Sequence, residues 1–392
     1  MQALQLRRGR GRSQIATRIV TVTAALALGI GLASCASQAP TGGSSTGKVS
    51  AAGVAEAQKI IDQYSKPPTW QGPDATVDIS GLKGKKVVYI GVDNSIPVLN
   101  YWATEIKSLA ASEAGVEVDV IDAKGSVDNA NKGFQQAVAE HADEIVLLAF
   151  PPSLFKKQIA DAEAAGIKVL TAQTGVPGVV DAGQTAEVSF DYVEVGKLIG
   201  DWVVADSKGT ANSMIITSDD VPASQPQAQG TESEIKRLCP GCTTTVKDVQ
   251  IPQWQTSIPT LFQSTLNSQP DITYYLPLYD GQALPGLGAL RTANAAGKVK
   301  VGAFNATPGI VQQLQDTKST LKFDLGGHNQ WWAYAATDAI FRLLAGATPV
   351  QNYHVGLRVF DQSNASLITG SDEYSWYNYD GYKAKFAALW KK

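Results

Sequence analysis

Two runs of alternating strand-like and helix-like segments dominate this 392-residue chain and leave few folds open to it. The first run opens with the short apolar stretch Val87–Val92. It continues through helical spacing at Val98–Ala114, alternation at Val116–Ile121 and a helical stretch at Val127–Glu140. A strand at Glu144–Leu148, a helix at Phe155–Ala165 and a strand at Val169–Thr171 complete it. An irregular stretch, Gly175–Glu187, interrupts the rhythm. The second run predicts helices at Tyr192–Ala205, Thr231–Leu238, Ser257–Ser268 and Ala283–Ala296. They alternate with strands at Ser213–Thr217, Thr244–Val249, Ile272–Tyr275 and Val299–Phe304. Strands separated by helices of about ten to fifteen residues build βαβ units, and right-handed crossovers then cover both faces of a parallel sheet. The fold class expected is therefore α/β, with two doubly wound, Rossmann-like lobes. Ligands in such sheets sit beyond the carboxyl ends of the strands, so two lobes facing each other there enclose a cleft.

The segment before the first run has a different character. Five arginines (Arg7, Arg8, Arg10, Arg12, Arg18) and no acid precede or enter the apolar run Ile19–Leu32, which has the length of a signal h-region and is too short for a membrane span. Leu32-Ala33-Ser34-Cys35 follows and looks like a bacterial lipobox, in which cleavage before the cysteine leaves a thiol that carries lipid. Residues 1–34 are expected to be removed. Cys35 is expected to be acylated and to hold the chain at the outer face of the cytoplasmic membrane or in the periplasm. The Ser-, Thr- and Gly-rich residues 35–50 read as a flexible tether. A helical pattern at Val54–Tyr64, stopped by Lys66-Pro67-Pro68, and an extended leader fill residues 51–84. Without the leading arginines, 28 basic residues face 36 acidic ones, a balance of −8 that argues against nucleic acid as a partner.

Two further cysteines form Cys239-Pro240-Gly241-Cys242. A redox pair belongs at the start of a helix after a strand, whereas this one follows a helical stretch. A zinc site needs more ligands than the three histidines, His141, His328 and His354, readily supply. A small structural disulfide in an oxidising compartment is the expectation. No phosphate-binding loop, dinucleotide glycine fingerprint or G-x-S-x-G elbow is present, and Gly286-Leu287-Gly288 lies within a helical segment. Neither enzymatic activity, nor a metal, nor a cofactor is expected.

Several stretches in order and spacing resemble a type I periplasmic sugar-binding protein of the ribose-binding class, the solute receptors of ABC importers. They are Lys85–Gly91 leading to Asn94-Ser95-Ile96-Pro97, Gly166–Thr171, Asp191-Tyr192 through Gly196–Asp201, and Val301–Asn305. The resemblance spans roughly Lys85 to Phe360. It implies a three-strand hinge, a first lobe of residues 85–189 plus 326–350 with a returning helix at Gln330–Leu344, and a second lobe of 190–325 plus 351–392. It further implies a monomer that closes on a small solute and either docks on an ABC permease or presents the solute to a sensor. The contact positions implied are Asn94 and Ser95 in the loop to Leu99, Gln173 and Thr174, Gln227, Trp254, Tyr279 and Asp280, Asn305, and Asp324. Four positions that are commonly charged in the family, Gln173, Thr174, Gln227 and Asn305, carry amides or a hydroxyl. Amides both donate and accept, and the missing guanidinium groups disfavour an anion, so a neutral sugar, sugar alcohol or related polyhydroxylated molecule is expected. Trp254 offers an apolar face to such a ligand. Asn305 also stands where it could cap a helix at Pro308–Gln315. Trp331-Trp332 reads as the start of a packed helix.

Overall fold

The computed structural model describes residues 50–180, 184–369 and 375–392. Signal, lipobox and Cys35 lie outside the described residues, as does all of the expected tether except Ser50. Ser50 caps helix α1 (Ala51–Tyr64), its Oγ accepting the Gly53 N–H at 3.1 Å. After strand β1 (Val77–Asp78) the first α/β run begins: β2 (Lys86–Gly91), α2 (Pro97–Ala114), β3 (Glu117–Asp122), α3 (Val127–Ala139), β4 (Glu144–Leu148), α4 (Lys156–Ala164), β5 (Lys168–Ala172) and β6 (Ala186–Val188). The strands form one parallel sheet in the order β3-β2-β4-β5-β6. Val87, Val88, Tyr89 and Ile90 are all buried, as are the five residues of β4. Continuous burial of this kind is what helices on both faces of a sheet require. β6 falls in the stretch expected to be irregular, because three residues are too few to show a period.

The second run comprises α5 (Tyr192–Ser207), β7 (Asn212–Thr217), α6 (Ser224–Leu238), β8 (Thr243–Asp248), α7 (Trp254–Ser268), β9 (Tyr274–Pro277), α8 (Asp280–Thr292), β10 (Lys300–Phe304) and β11 (Leu321–Gly327). Then follow α9 (Asn329–Ala345), β12 (Leu357–Asp361), α10 (Gly381–Leu389) and β13 (Trp390–Lys391). The second sheet has the order β12-β11-β10-β9-β7-β8, parallel except for the edge pair β11 and β12. Helix α6 starts seven residues before the expected Thr231, because Pro226 in its first turn is tolerated where no intrahelical N–H bond is lost. The helix expected at Pro308–Gln315 is only a 3₁₀ turn, Val311–Gln315, so Asn305 caps nothing there.

The chain passes between the sheets three times, from β6 to α5, from β11 to α9 and from α9 to β12. Helix α9 packs on α2 and the first sheet, with Trp331 and Trp332 fully buried. Residues 351–392, expected with the second lobe, divide. β12 joins the second sheet, whereas β13 pairs in parallel with β1 and α10 lies against α9. The Trp390 indole donates to Asp338 at 2.8 Å, inside a buried network that also holds Arg342 and Tyr353, and this anchors the C-terminus to the first lobe. Within the second lobe, α5 and α6 meet backbone to backbone: a Cβ on Gly196 would stand 2.0 Å from the Gln227 carbonyl oxygen. Cys239 and Cys242 are bridged at the end of α6.

Candidate functional site

The carboxyl ends of both sheets converge on a small cavity of about 50 Å³. Strands β2, β4 and β5 deliver Val92, Ala149 and Gln173 to it from one side. From the other side β9 and β10 deliver Tyr279 and Asn305, and the segments after β7 and β8 deliver Val221 and Ile251. Backbone strain gathers at the same strand ends. Ala149 and Gln173 have φ of 58°, Asn305 128° and Ala306 48°. Left-handed conformations of residues other than glycine persist only where the surroundings hold them, and they concentrate at ligand-binding sites.

The walls are apolar. In the first lobe Pro97 opens α2, and Val98, Leu99 and Trp102 share the helix face that turns to the cavity, beside Ile96. Trp102 is buried against Trp332 at 4.4 Å, and its indole N–H has no partner among the described residues. In the second lobe Trp254 begins α7. Its N–H is divided between Ser218 Oγ at 2.8 Å and the Val249 carbonyl at 2.9 Å, which fixes the ring against Tyr279. Gly281 lets the lobes meet: a Cβ there would lie 3.2 Å from the Trp254 ring and 3.3 Å from Cγ2 of Ile96.

Polar groups reach the cavity at few points. The Gln173 carbonyl oxygen accepts the Tyr192 hydroxyl at 2.7 Å, so its NH₂ group is the end left over, buried and unpartnered. Asn305 is held by its backbone, its N–H donating to Leu325 O at 3.0 Å and its carbonyl accepting Asn329 Nδ2 at 2.9 Å. Its side-chain amide makes no hydrogen bond among the described residues and lines the cavity. No Asp, Glu, Lys, Arg or His lines it. Among the described residues no group of three or more His, Cys, Asp or Glu is arranged to hold a metal ion.

Of the ten expected contacts, Gln173, Trp254, Tyr279 and Asn305 come together at the cavity, and the rest are placed elsewhere. Asp280 and Asp324 lie behind it. Their carboxylates accept the backbone N–H groups of Thr307 at 2.5 Å and Ala306 at 3.0 Å, and so hold the strained loop that presents Asn305. Burial pushes Asp280 up to about 7 and Asp324 well above its ordinary value, the latter also through the neighbouring Asp280 charge, so the pair retains a proton. Gln227 is fully buried in α6, donating to Leu278 O at 2.9 Å. The Asn94 side chain turns back onto Gly91, where a Cβ would meet its Oδ1 at 2.7 Å, and Ser95 is exposed. Thr174 sits in a neighbouring groove at the lip, its hydroxyl 3.3 Å from Glu187. Burial raises the Glu187 carboxyl to about 7, and its Oε1 accepts the Ser189 hydroxyl.

Sequence reasoning missed Trp102, Tyr192, Val221 and Ile251. Helical spacing from Val98 would have brought Trp102 to the same face. Tyr192 opens the helix after the first crossover, where a side chain lies between both sheets.

Residues 87–348 match the family described as periplasmic binding protein domain. The chain belongs to that family. This periplasmic binding protein is 25% identical over 222 residues to the Escherichia coli K12 ABC transporter periplasmic-binding protein YphF, a match covering 53% of this chain and 65% of the relative. The match thus spans slightly under two thirds of the relative's length. Among solved structures, one similar fold is a 5-methylthioribose transporter solute-binding protein from Thermotoga lettingae in complex with 5-methylthioribose. Its TM-score is 0.69 at 18% identity, covering 78% of this chain and 99% of that one. Another is an ABC transporter solute-binding protein from Agrobacterium vitis with bound allitol, with a TM-score of 0.65 at 20% identity, covering 73% and 98%. These likenesses establish the type I periplasmic binding protein fold.

Proposed function

We propose that this chain is the extracytoplasmic solute-binding receptor of an ABC importer and captures a neutral sugar, sugar alcohol or related polyhydroxylated small molecule between its lobes. The observation that carries this reading is the cavity at the carboxyl ends of both sheets, which each lobe helps to line and no charged side chain enters. Because the polar contacts come from both sides, only the closed form engages them all, and ligand shifts the population toward closure. Family membership supports the extracytoplasmic location and a role in binding, not catalysis. Acylation at Cys35 as the membrane anchor, a monomeric state and a membrane permease as partner complete the proposal.

Deleting the gene is expected to abolish uptake of the ligand that stabilises the purified protein. Normal uptake with lost induction of the uptake genes would instead assign a ligand-presenting sensor. Cys35→Ser is expected to release the chain from membranes, and unchanged retention would refute acylation there.

A further inference from the structure

We infer that the ligand is not a fully hydroxylated sugar but one with an apolar limb: a deoxy sugar, or a sugar or polyol bearing an alkyl or thioalkyl group. The inference rests on the receptor reading above and narrows its ligand class. A hexose presents a hydroxyl on nearly every carbon, and each hydroxyl both donates and accepts. Closing the cleft removes water, so each hydroxyl needs a protein partner or leaves a buried polar group unpaired.

The partners available are few and clustered. Gln173 offers one NH₂, Asn305 one amide and Tyr279 one hydroxyl, while Trp102 can only donate, through one N–H. The Tyr192 hydroxyl donates its proton to Gln173 and can only accept from a ligand. Away from them the surface is hydrocarbon: Leu99 and Val98 from the first lobe, Val221 and Ile251 from the second, with the Trp254 ring between. The other expected polar contacts do not line the cavity. Asp280 and Asp324 each hold a backbone N–H with one carboxylate oxygen, Gln227 donates to Leu278 O, and the Asn94 amide oxygen lies against Gly91. The cavity therefore has one polar patch and one apolar patch, and it matches a solute divided the same way. A methyl or thioether in the apolar patch gains burial, whereas a hydroxyl there finds no partner.

Calorimetric titration of the full chain with matched pairs tests this: D-galactose against D-fucose, D-ribose against 5-methylthioribose, and D-glucose against methyl β-D-glucoside. Within the pair that binds, the member with the apolar group is expected to bind at least tenfold tighter. Leu99→Asn, checked for an unchanged fold by circular dichroism, is expected to shrink that preference at least tenfold. Equal or tighter binding of the fully hydroxylated member overturns the inference and leaves the receptor reading standing. Binding of an amino acid or an anion alone overturns the reading on which it rests.

Discussion

The wall of the cleft and the layer directly behind it differ in a way that residue types alone do not reveal. The wall is hydrocarbon and aromatic, with polar groups from Gln173 and Asn305, the Tyr192 and Tyr279 hydroxyls and the Trp102 indole N–H. The layer behind is rich in buried polar groups, including Asp280, Asp324, Gln227 and Glu187, and these bind backbone or one another. Polar residues at strand ends thus serve two separate tasks. Those in front line the cavity proposed to take the solute. Those behind hold strained loops in the conformation that puts the front residues in place.

Trp254 belongs to both regions, and truncating it is expected to give the largest effect. It lines the cavity and is also 4% exposed with two hydrogen bonds into the second lobe. Trp254→Ala should lower stability by about 3–5 kcal/mol and weaken ligand binding together, measurable by urea unfolding and calorimetry. Asp324→Ala leaves the Ala306 N–H without its acceptor and frees the Asn305 loop. A loss of about 2–3 kcal/mol in stability is expected, with weakened binding although Asp324 does not line the cavity. Gln173→Glu keeps the acceptor for Tyr192 but replaces the NH₂ donor with a carboxylate. Affinity should fall about tenfold to a hundredfold with a much smaller change in melting temperature than Trp254→Ala produces. If stability fell as much as binding, the separation between the two regions would fail.

The smallest expected effect is a pH dependence from the layer behind. Glu187 is held near 7 against an ordinary 4.5, chiefly by burial, and Asp280 near 7 against 3.8. A carboxyl whose folded value is raised binds its proton more tightly in the folded state. Its contribution is intact below about pH 4 and is lost as pH rises through about 7. Melting temperature should therefore decline from pH 5 to pH 8. Glu187→Gln should recover on the order of 1–2 kcal/mol at pH 8 and almost nothing at pH 4.

Much of the architecture was legible in the chain because it rests on periodicity. Val87–Val92 and Glu144–Leu148 are continuous apolar runs bounded by helical spacing, and they form strands at nearly the expected positions. The returning helix at Gln330–Leu344 was legible only through family resemblance, since nothing local tells a helix which sheet it will cover. β6 and β13 were illegible because two or three residues carry no period. Gln173, directly after β5, and Trp254, at the start of α7, were positions implied by the family resemblance, and both line the cavity. Asn94 and Gln227 were misplaced because loop register and helix rotation set side-chain direction, and the sequence position alone does not. Asp280 and Asp324 showed the chemistry of contacts but point behind the cavity, where burial and backbone donors claim them.

Gly281 supplies the most direct test of the central claim that solute is captured between the lobes at an uncharged site. A leucine there would fill the space between Ile96 and Trp254, to which even a Cβ comes within 3.2–3.3 Å. Thermal unfolding of the wild type and of Gly281→Leu would be followed across a panel of sugars, polyols, nucleosides, amino acids and anions. At about a hundred times its dissociation constant, a ligand of the folded state adds about 2.7 kcal/mol, a rise of several degrees for a chain of this size. The account predicts such a rise in the wild type with a neutral sugar or polyol, and none in Gly281→Leu, whose own melting temperature stays close to wild type. An equal rise in both proteins, or a rise in the wild type with charged ligands alone, would contradict it.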